Sequence, residues 1–194
     1  MDLLKESGRN FLFYSRFILP VALGAILLTV LCVGWFTEPD SLVRGYAPEQ
    51  PIQFSHQLHP GMLRIPCAYC HTGVLKSRQA GIPTVEKCMN CHKVTKTDSP
   101  EIIKITALYN SGKPLFWVRI HSLPDYVYFD HRPHVSSGIL CQTCHGEIQT
   151  MPRVYQHMSM RMSNCLGCHR DPGYALPKES EIKKGPEHCY ACHR

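Results

Sequence analysis

The longest apolar stretch of the chain lies at its N-terminus. From Phe17 to Thr37 there are 21 residues without a charge, and as a helix at 1.5 Å per residue they reach about 30 Å, the thickness of a bilayer core. Lys5, Arg9 and Arg16 precede the run, and Glu38 and Asp40 follow it. Tyr14 and Trp35 stand near its ends, where amphipathic rings favour the membrane interface. The pattern predicts a cytoplasmic tip and transmembrane anchor over 1–37, with the positive flank inside and everything after it outside. A cleaved signal peptide is the competing reading, but the run is long for one and no small-x-small site closes it. Val30-Leu31 before Cys32 is unlike a lipoprotein site, and Cys32 reads as a small buried hydrophobe.

Beyond residue 37 the apolar positions break into short pieces between prolines, of which the chain has 15. Such punctuation predicts short helices and loops with little or no sheet. One longer helix is expected over 100–111. Ser99-Pro100-Glu101 is a start signal, Ile102, Ile105 and Tyr109 follow at helical spacing, and Gly112 ends the run. The stripe reads as packing. An internal repeat also stands out: Phe54-Ser55-His56-Gln57-Leu58-His59 and Phe129-Asp130-His131-Arg132-Pro133-His134 share the pattern Phe-x-His-x-x-His.

The cysteines change the picture most. Ten of the 11 fall into five copies of Cys-x-x-Cys-His: Cys67/Cys70/His71, Cys88/Cys91/His92, Cys141/Cys144/His145, Cys165/Cys168/His169 and Cys189/Cys192/His193. Two thiols three apart on one helical turn reach the two vinyl groups of one porphyrin, and the next residue offers an imidazole to the iron. Zinc sites and redox dithiols also use Cys-x-x-Cys pairs, but neither needs a histidine after every pair. The expectation is five covalently bound haems c. Such attachment takes place outside the cytoplasm, which agrees with the anchor reading.

Five haems in residues 38–194, a stretch of 157 residues, leave too little protein for a conventional core. The expected fold is therefore mainly α and irregular, a haem-packed multihaem cytochrome c domain behind one anchor helix. Within it the repeats mark two di-haem modules, 54–95 and 121–170, with a fifth haem on 171–194. Charge excludes a further class. The formal net charge is +6, but five haems bring about ten propionate charges, leaving about +1 oxidised and about −4 reduced. No basic field for nucleic acid remains.

Axial ligands decide between electron carrier and enzyme, because an iron closed by two protein ligands does only outer-sphere transfer. Seven histidines remain beyond the motifs: His56, His59, His121, His131, His134, His157 and His188. Their number argues that every iron is closed and that the chain itself catalyses nothing. The repeat singles out His56, His59, His131 and His134, and His121 is the next candidate. His56 is expected at the iron of His71 and His131 at that of His145, with His59, His134 and His121 closing irons attached elsewhere. Met158, Met160 and Met162 precede the fourth motif. Packing is the plain reading of the three, and the sharper one is Met162 as the sixth ligand opposite His169, with His157 as the alternative.

The chain resembles the membrane-anchored pentahaem cytochrome c subunit of alternative complex III, the bacterial quinol:electron-acceptor oxidoreductase. The resemblance covers anchor and domain. It rests on Phe54-Ser55-His56, Trp117-Val118-Arg119-Ile120-His121-Ser122-Leu123-Pro124, Val127-Tyr128-Phe129-Asp130-His131, Cys141-Gln142-Thr143-Cys144-His145-Gly146, and Met162 three residues before Cys165. Asn164 stands where that family usually has Trp, and His157 lies in a stretch that usually lacks histidine. The resemblance implies an electron-transfer subunit in a respiratory or photosynthetic chain. Its partners would be a membrane subunit, an iron–sulfur subunit and a monohaem cytochrome c or soluble acceptor. A NapC/NrfH-type quinol dehydrogenase is the alternative, but its first motif carries a methionine two residues past the histidine, and here His71 is followed by Thr72-Gly73. A nitrite-reductase-like enzyme needs an open iron, often with lysine in the motif, and all five motifs here end in histidine.

Overall fold

A computed structural model describes residues 14–37, 43–177 and 181–194. The chain divides into two units, residues 1–43 and 44–194. The first holds helix α1 (Leu19–Phe36), entered through a π-helical turn at Tyr14–Ile18. Pro20 occupies its first turn, where a missing N–H costs nothing. Together the two pieces make a 22-residue apolar helix, Ser15–Phe36, long enough to cross a membrane. Its side chains from Ser15 onward are exposed, Cys32 among them, so Cys32 is not the buried residue expected from its apolar neighbours. Thr29 and Thr37 each return the hydroxyl to the carbonyl four residues back, which hides the polar atom in an apolar run. Lys5, Arg9, Glu38 and Asp40 lie outside the described residues.

The second unit is built from short helices: α2 (Cys67–Cys70), α3 (Val85–His92), α4 (Pro100–Ser111), α5 (His131–Ser136), α6 (Cys141–His145) and α7 (Met162–Arg170). A π-helical turn (Gln57–Met62) precedes α2, and 3-10 turns sit at Ile148–Thr150, Pro172–Tyr174 and Cys189–Ala191. Among the described residues there is no sheet, only a single bridge between Val127 and His193.

Helix α4 sits where the apolar spacing puts it. Ser99 is extended before Pro100, and Glu101 pairs with Lys104 at 2.6 Å and accepts the Gln53 N–H at 2.9 Å. Ile102 and Ile105 face Val85 and Met89 of α3, and with Ile52 they form the buried cluster of the domain. Leu108, Tyr109, Leu115 and Trp117 pack around it. This cluster serves only the second motif. Around the other four motifs the described protein core thins to Met151 and the buried polar side chains of Gln156 and Ser159.

Candidate haem attachment sites

Each motif lies on a helical turn. In α2 the His71 N–H donates to Cys67 O at 2.9 Å, and at the C-terminus the His193 N–H repeats this to Cys189 O at 2.9 Å. The i, i+3 spacing therefore brings both thiols of a motif to one face. The motif histidines are oriented by their second ring nitrogen. His71 Nδ1 meets Gly81 O at 2.7 Å, His92 Nδ1 meets Thr95 O at 3.0 Å and His169 Nδ1 meets Pro186 O at 2.7 Å. A ring that donates through Nδ1 keeps its Nε2 lone pair for a metal. Local backbone builds these acceptors: Gly73 closes the loop that presents Gly81 through its N–H to Ala80 O at 2.9 Å. Gly185 lies flat on the His169 ring, where a Cβ would come within 2.5 Å of Cγ.

The two copies of Phe-x-His-x-x-His adopt one arrangement. His56 lies at the start of the Gln57–Met62 turn and His59 within it; His131 and His134 are three apart on α5. The phenylalanine is a wedge. Phe54 stacks on His59 at 4.2 Å and meets His56 edge-on at 4.9 Å; Phe129 lies 4.5 Å from His134 and edge-on to His131 at 4.8 Å. Each helix-borne ring also returns Nδ1 to the carbonyl four residues back, His59 to Ser55 O at 2.9 Å and His134 to Asp130 O at 2.7 Å. His131 Nδ1 instead meets Arg78 O at 3.0 Å, which ties the second copy to the loop after the first motif. His56 Nδ1 is buried with no hydrogen-bond partner among the described residues.

These rings face motif histidines across a constant gap. Centroid separations are 6.2 Å for His59 and His92, 6.4 Å for His131 and His145, and 6.0 Å for His134 and His169. Two imidazoles holding one metal from opposite sides, each nitrogen about 2 Å away, place their centroids about 6 Å apart. His56 is close enough to His71 for the two charges to repel. Burial, followed by neighbouring histidines, pushes both His56 and His145 down to about 4. They are neutral at ordinary pH, with a lone pair for a metal. The thiols of Cys70, Cys88, Cys144, Cys165 and Cys168 are pushed up, burial being the largest cause in each. A reactive dithiol or a zinc thiolate wants the opposite.

The remaining candidates fall elsewhere. His121 Nε2 lies 3.3 Å from His145 Nδ1, with the rings edge-to-face at 4.6 Å. His157 packs on Gly146 and does not line the space between the motifs, whereas Met158, Met160, Met162 and His188 do. The ring facing His169 is that of His134, so the structure brings His134 to the place expected for Met162. At the fifth motif the facing ring is Tyr126, at 5.9 Å from His193.

The motifs also touch one another in a definite order. Tyr69, inside motif one, accepts from Asn90 inside motif two at 3.1 Å, and Lys87 lies over the Tyr69 ring. Cys67 of motif one neighbours Cys141 of motif three. Cys144 of motif three neighbours Cys165 and Cys168 of motif four, and Cys165 neighbours Cys192 of motif five. One continuous cavity of about 3750 Å³ connects all five motif histidines. Ordinary ligand pockets are about 300–1,000 Å³, so this space suits several large groups. The paired thiols, the facing imidazoles and this cavity together fit covalently bound haem.

Residues 127–194 match the family described as cytochrome c7 and related cytochrome c, and residues 36–114 match the class III cytochrome c family. Among curated proteins, the chain is 27% identical over 189 residues to the menaquinone reductase, multiheme cytochrome c subunit, of Nitratidesulfovibrio vulgaris, with 87% of each chain covered. It is 27% identical over 108 residues to the cytochrome c-type protein NrfB of Haemophilus influenzae, covering 55% of this chain and 41% of that protein. The mainly helical and irregular second unit is thus made of multihaem cytochrome c domains. Covalently bound haem c and electron transfer follow from those families.

Proposed function

We propose that the chain carries five haems c and relays electrons as the anchored, extracytoplasmic subunit of a membrane complex that reacts with quinone. The observation that carries this is the facing of imidazoles at about 6 Å across the motifs. Bound haem would supply one-electron chemistry, the iron passing between ferric and ferrous. The chain's residues do the rest: they hold, orient and close each iron. His71 pairs with His56, His92 with His59, His145 with His131 and His169 with His134. With His169 so paired, Met162 would be left to help hold the fifth iron with His193, whose ring has Tyr126 stacked beside it. Met162 lines the same cavity, is 63% exposed there, and stands one turn from Cys165, whose thiol neighbours Cys192. A relay without an open iron has no substrate-binding position, so the chain is a conduit and not an enzyme.

Replacing His134 by Ala is expected to leave five haems attached, with about one fifth of the haem turned high-spin and reactive with carbon monoxide. Spin-state spectroscopy and carbon monoxide difference spectra check this; wholly low-spin haem in that variant refutes the His134 pairing. Replacing Met162 by His should lower a single potential, because a thioether favours ferrous iron more than an imidazole does. Redox titration would detect it. If the same drop persists when Cys189 and Cys192 are also replaced by Ala, the methionine serves an iron other than the fifth.

The resemblance to alternative complex III supports transfer from a quinol-oxidising, iron–sulfur-containing complex to a monohaem cytochrome c or soluble acceptor. The menaquinone reductase relative favours a second reading, in which the same wire runs towards the quinone pool. Gentle solubilisation tests both. Co-migration with iron–sulfur and polytopic subunits supports the complex, whereas migration alone supports a NapC/NrfH-type protein. Reduction of the haems by added quinol, against oxidation by added quinone, then fixes the direction.

A further inference from the structure

We infer that His121 is a positioning residue for the third iron: its ring nitrogen accepts the Nδ1–H of His145 and so tunes the ligand that His145 presents. The inference rests on the reading that His145 holds that iron through Nε2. A neutral imidazole bound through Nε2 carries its proton on Nδ1, so the 3.3 Å contact to His121 Nε2 has one sense, with His145 donating and His121 accepting.

Two features separate His121 from an axial ligand. Its ring is 4.6 Å from His145 and at 88°, too close for an iron between them, whereas the facing pairs stand 6.0–6.4 Å apart. The His145 ring already faces His131 on another side, at 4° between planes. His121 is also held firmly. Gln50 clamps the segment leading to it, accepting the Val118 N–H at 2.9 Å and donating to Val118 O at 3.0 Å. Both rings are half-buried, so the contact between them is largely shielded from water.

This makes the third site unlike three of its neighbours. His71, His92 and His169 donate to peptide carbonyls, which are weak bases fixed by the backbone. His145 donates to a side-chain imidazole, a stronger base. An acceptor on Nδ1–H raises the basicity of the metal-bound nitrogen and favours ferric iron, which lowers the potential. The third motif touches both the first and the fourth, so its potential bears on traffic between the modules.

The test uses the full-length, haem-loaded chain with His121→Leu and His121→Gln. Leucine removes the acceptor; glutamine restores one through its amide oxygen. With Leu, five haems should remain, all low-spin and inert to carbon monoxide, while one potential rises in redox titration. With Gln, that potential should return towards the original. About one fifth of the haem becoming high-spin in the Leu variant would make His121 an axial ligand and overturn the inference. Unchanged potentials in both variants, or haem lost from both, would reduce it to packing or folding. Peptide mass analysis of the unmodified chain separates the premise: no haem on the Cys141–Cys144 peptide would remove the third site itself.

Discussion

A chain with Cys141 and Cys144 both replaced by Ala is expected to mature with four haems and to lose transfer between motifs one and two on one side and motifs four and five on the other. Motif three neighbours motif one at Cys67 and Cys141, and motif four at Cys144, Cys165 and Cys168. It is the joint of the series. The paired control is Cys88→Ala with Cys91→Ala. That variant also carries four haems, but the contacts of motif two described above, at Tyr69, run to motif one alone. Removing it shortens the series at one end and leaves the rest connected. Rapid-mixing reduction followed in the Soret band tells them apart: the first variant should show a reduced group and an unreduced group, and the second a single connected set. Wild-type transfer rates in the Cys141/Cys144 variant would mean that the modules are joined elsewhere. The contact to examine then is Tyr128, whose N–H donates to Cys192 O at 2.7 Å and whose ring lies under Arg78 at 4.2 Å.

The second large effect concerns Gly146, directly after the third motif. Its φ of 70° and ψ of −169° belong to a region essentially restricted to glycine. A Cβ there would also lie 2.6 Å from Cγ of His157. Gly146→Ala should therefore cost about 1–3 kcal/mol in backbone strain alone, with displacement of His157 added. For a chain of this size each kcal/mol is worth about 2–4 °C in Tm, so thermal melting of the holo-protein should fall by several degrees. An unchanged melting curve would mean that the turn relaxes to another conformation. His157→Ala is the companion. It vacates the clash but leaves the backbone strain, so the double variant should recover only part of the loss.

Local spacing carried much of this architecture. The five motifs, the repeated Phe-x-His-x-x-His and the helix over 100–111 are all written at separations of three or four residues, which a helix converts directly into contacts. What spacing could not carry was the second partner of each repeat. His134 lies 31 residues before Cys165, and only the placement of α5 brings it to 6.0 Å from His169. Nearness along the chain favoured Met162 instead. His121 was equally hidden: counting histidines marks it as spare, but not which nitrogen it turns to which neighbour. His157 and Gly146 are coupled through an unusual backbone conformation that no periodic pattern reports. The apolar run around Cys32 was legible as a membrane-length helix, on which Cys32 is exposed.

The histidines of the repeat all come earlier in the chain than the cysteines of the sites they face. His56 and His59 precede Cys67 and Cys88; His131 and His134 precede Cys141 and Cys165. On the proposed topology, export proceeds from the anchor towards the C-terminus. For these four sites the second imidazole has then already crossed the membrane when the thiols emerge. Maturation can run in step with translocation, every newly attached group meeting a waiting cap and never standing open to peroxide or dioxygen. Reversing the order, by transposing residues 54–62 to follow residue 95, would put the two imidazoles behind the thiols of the sites they face. It would expose two half-capped sites during synthesis, a burden that falls on yield and oxidative damage in the cell.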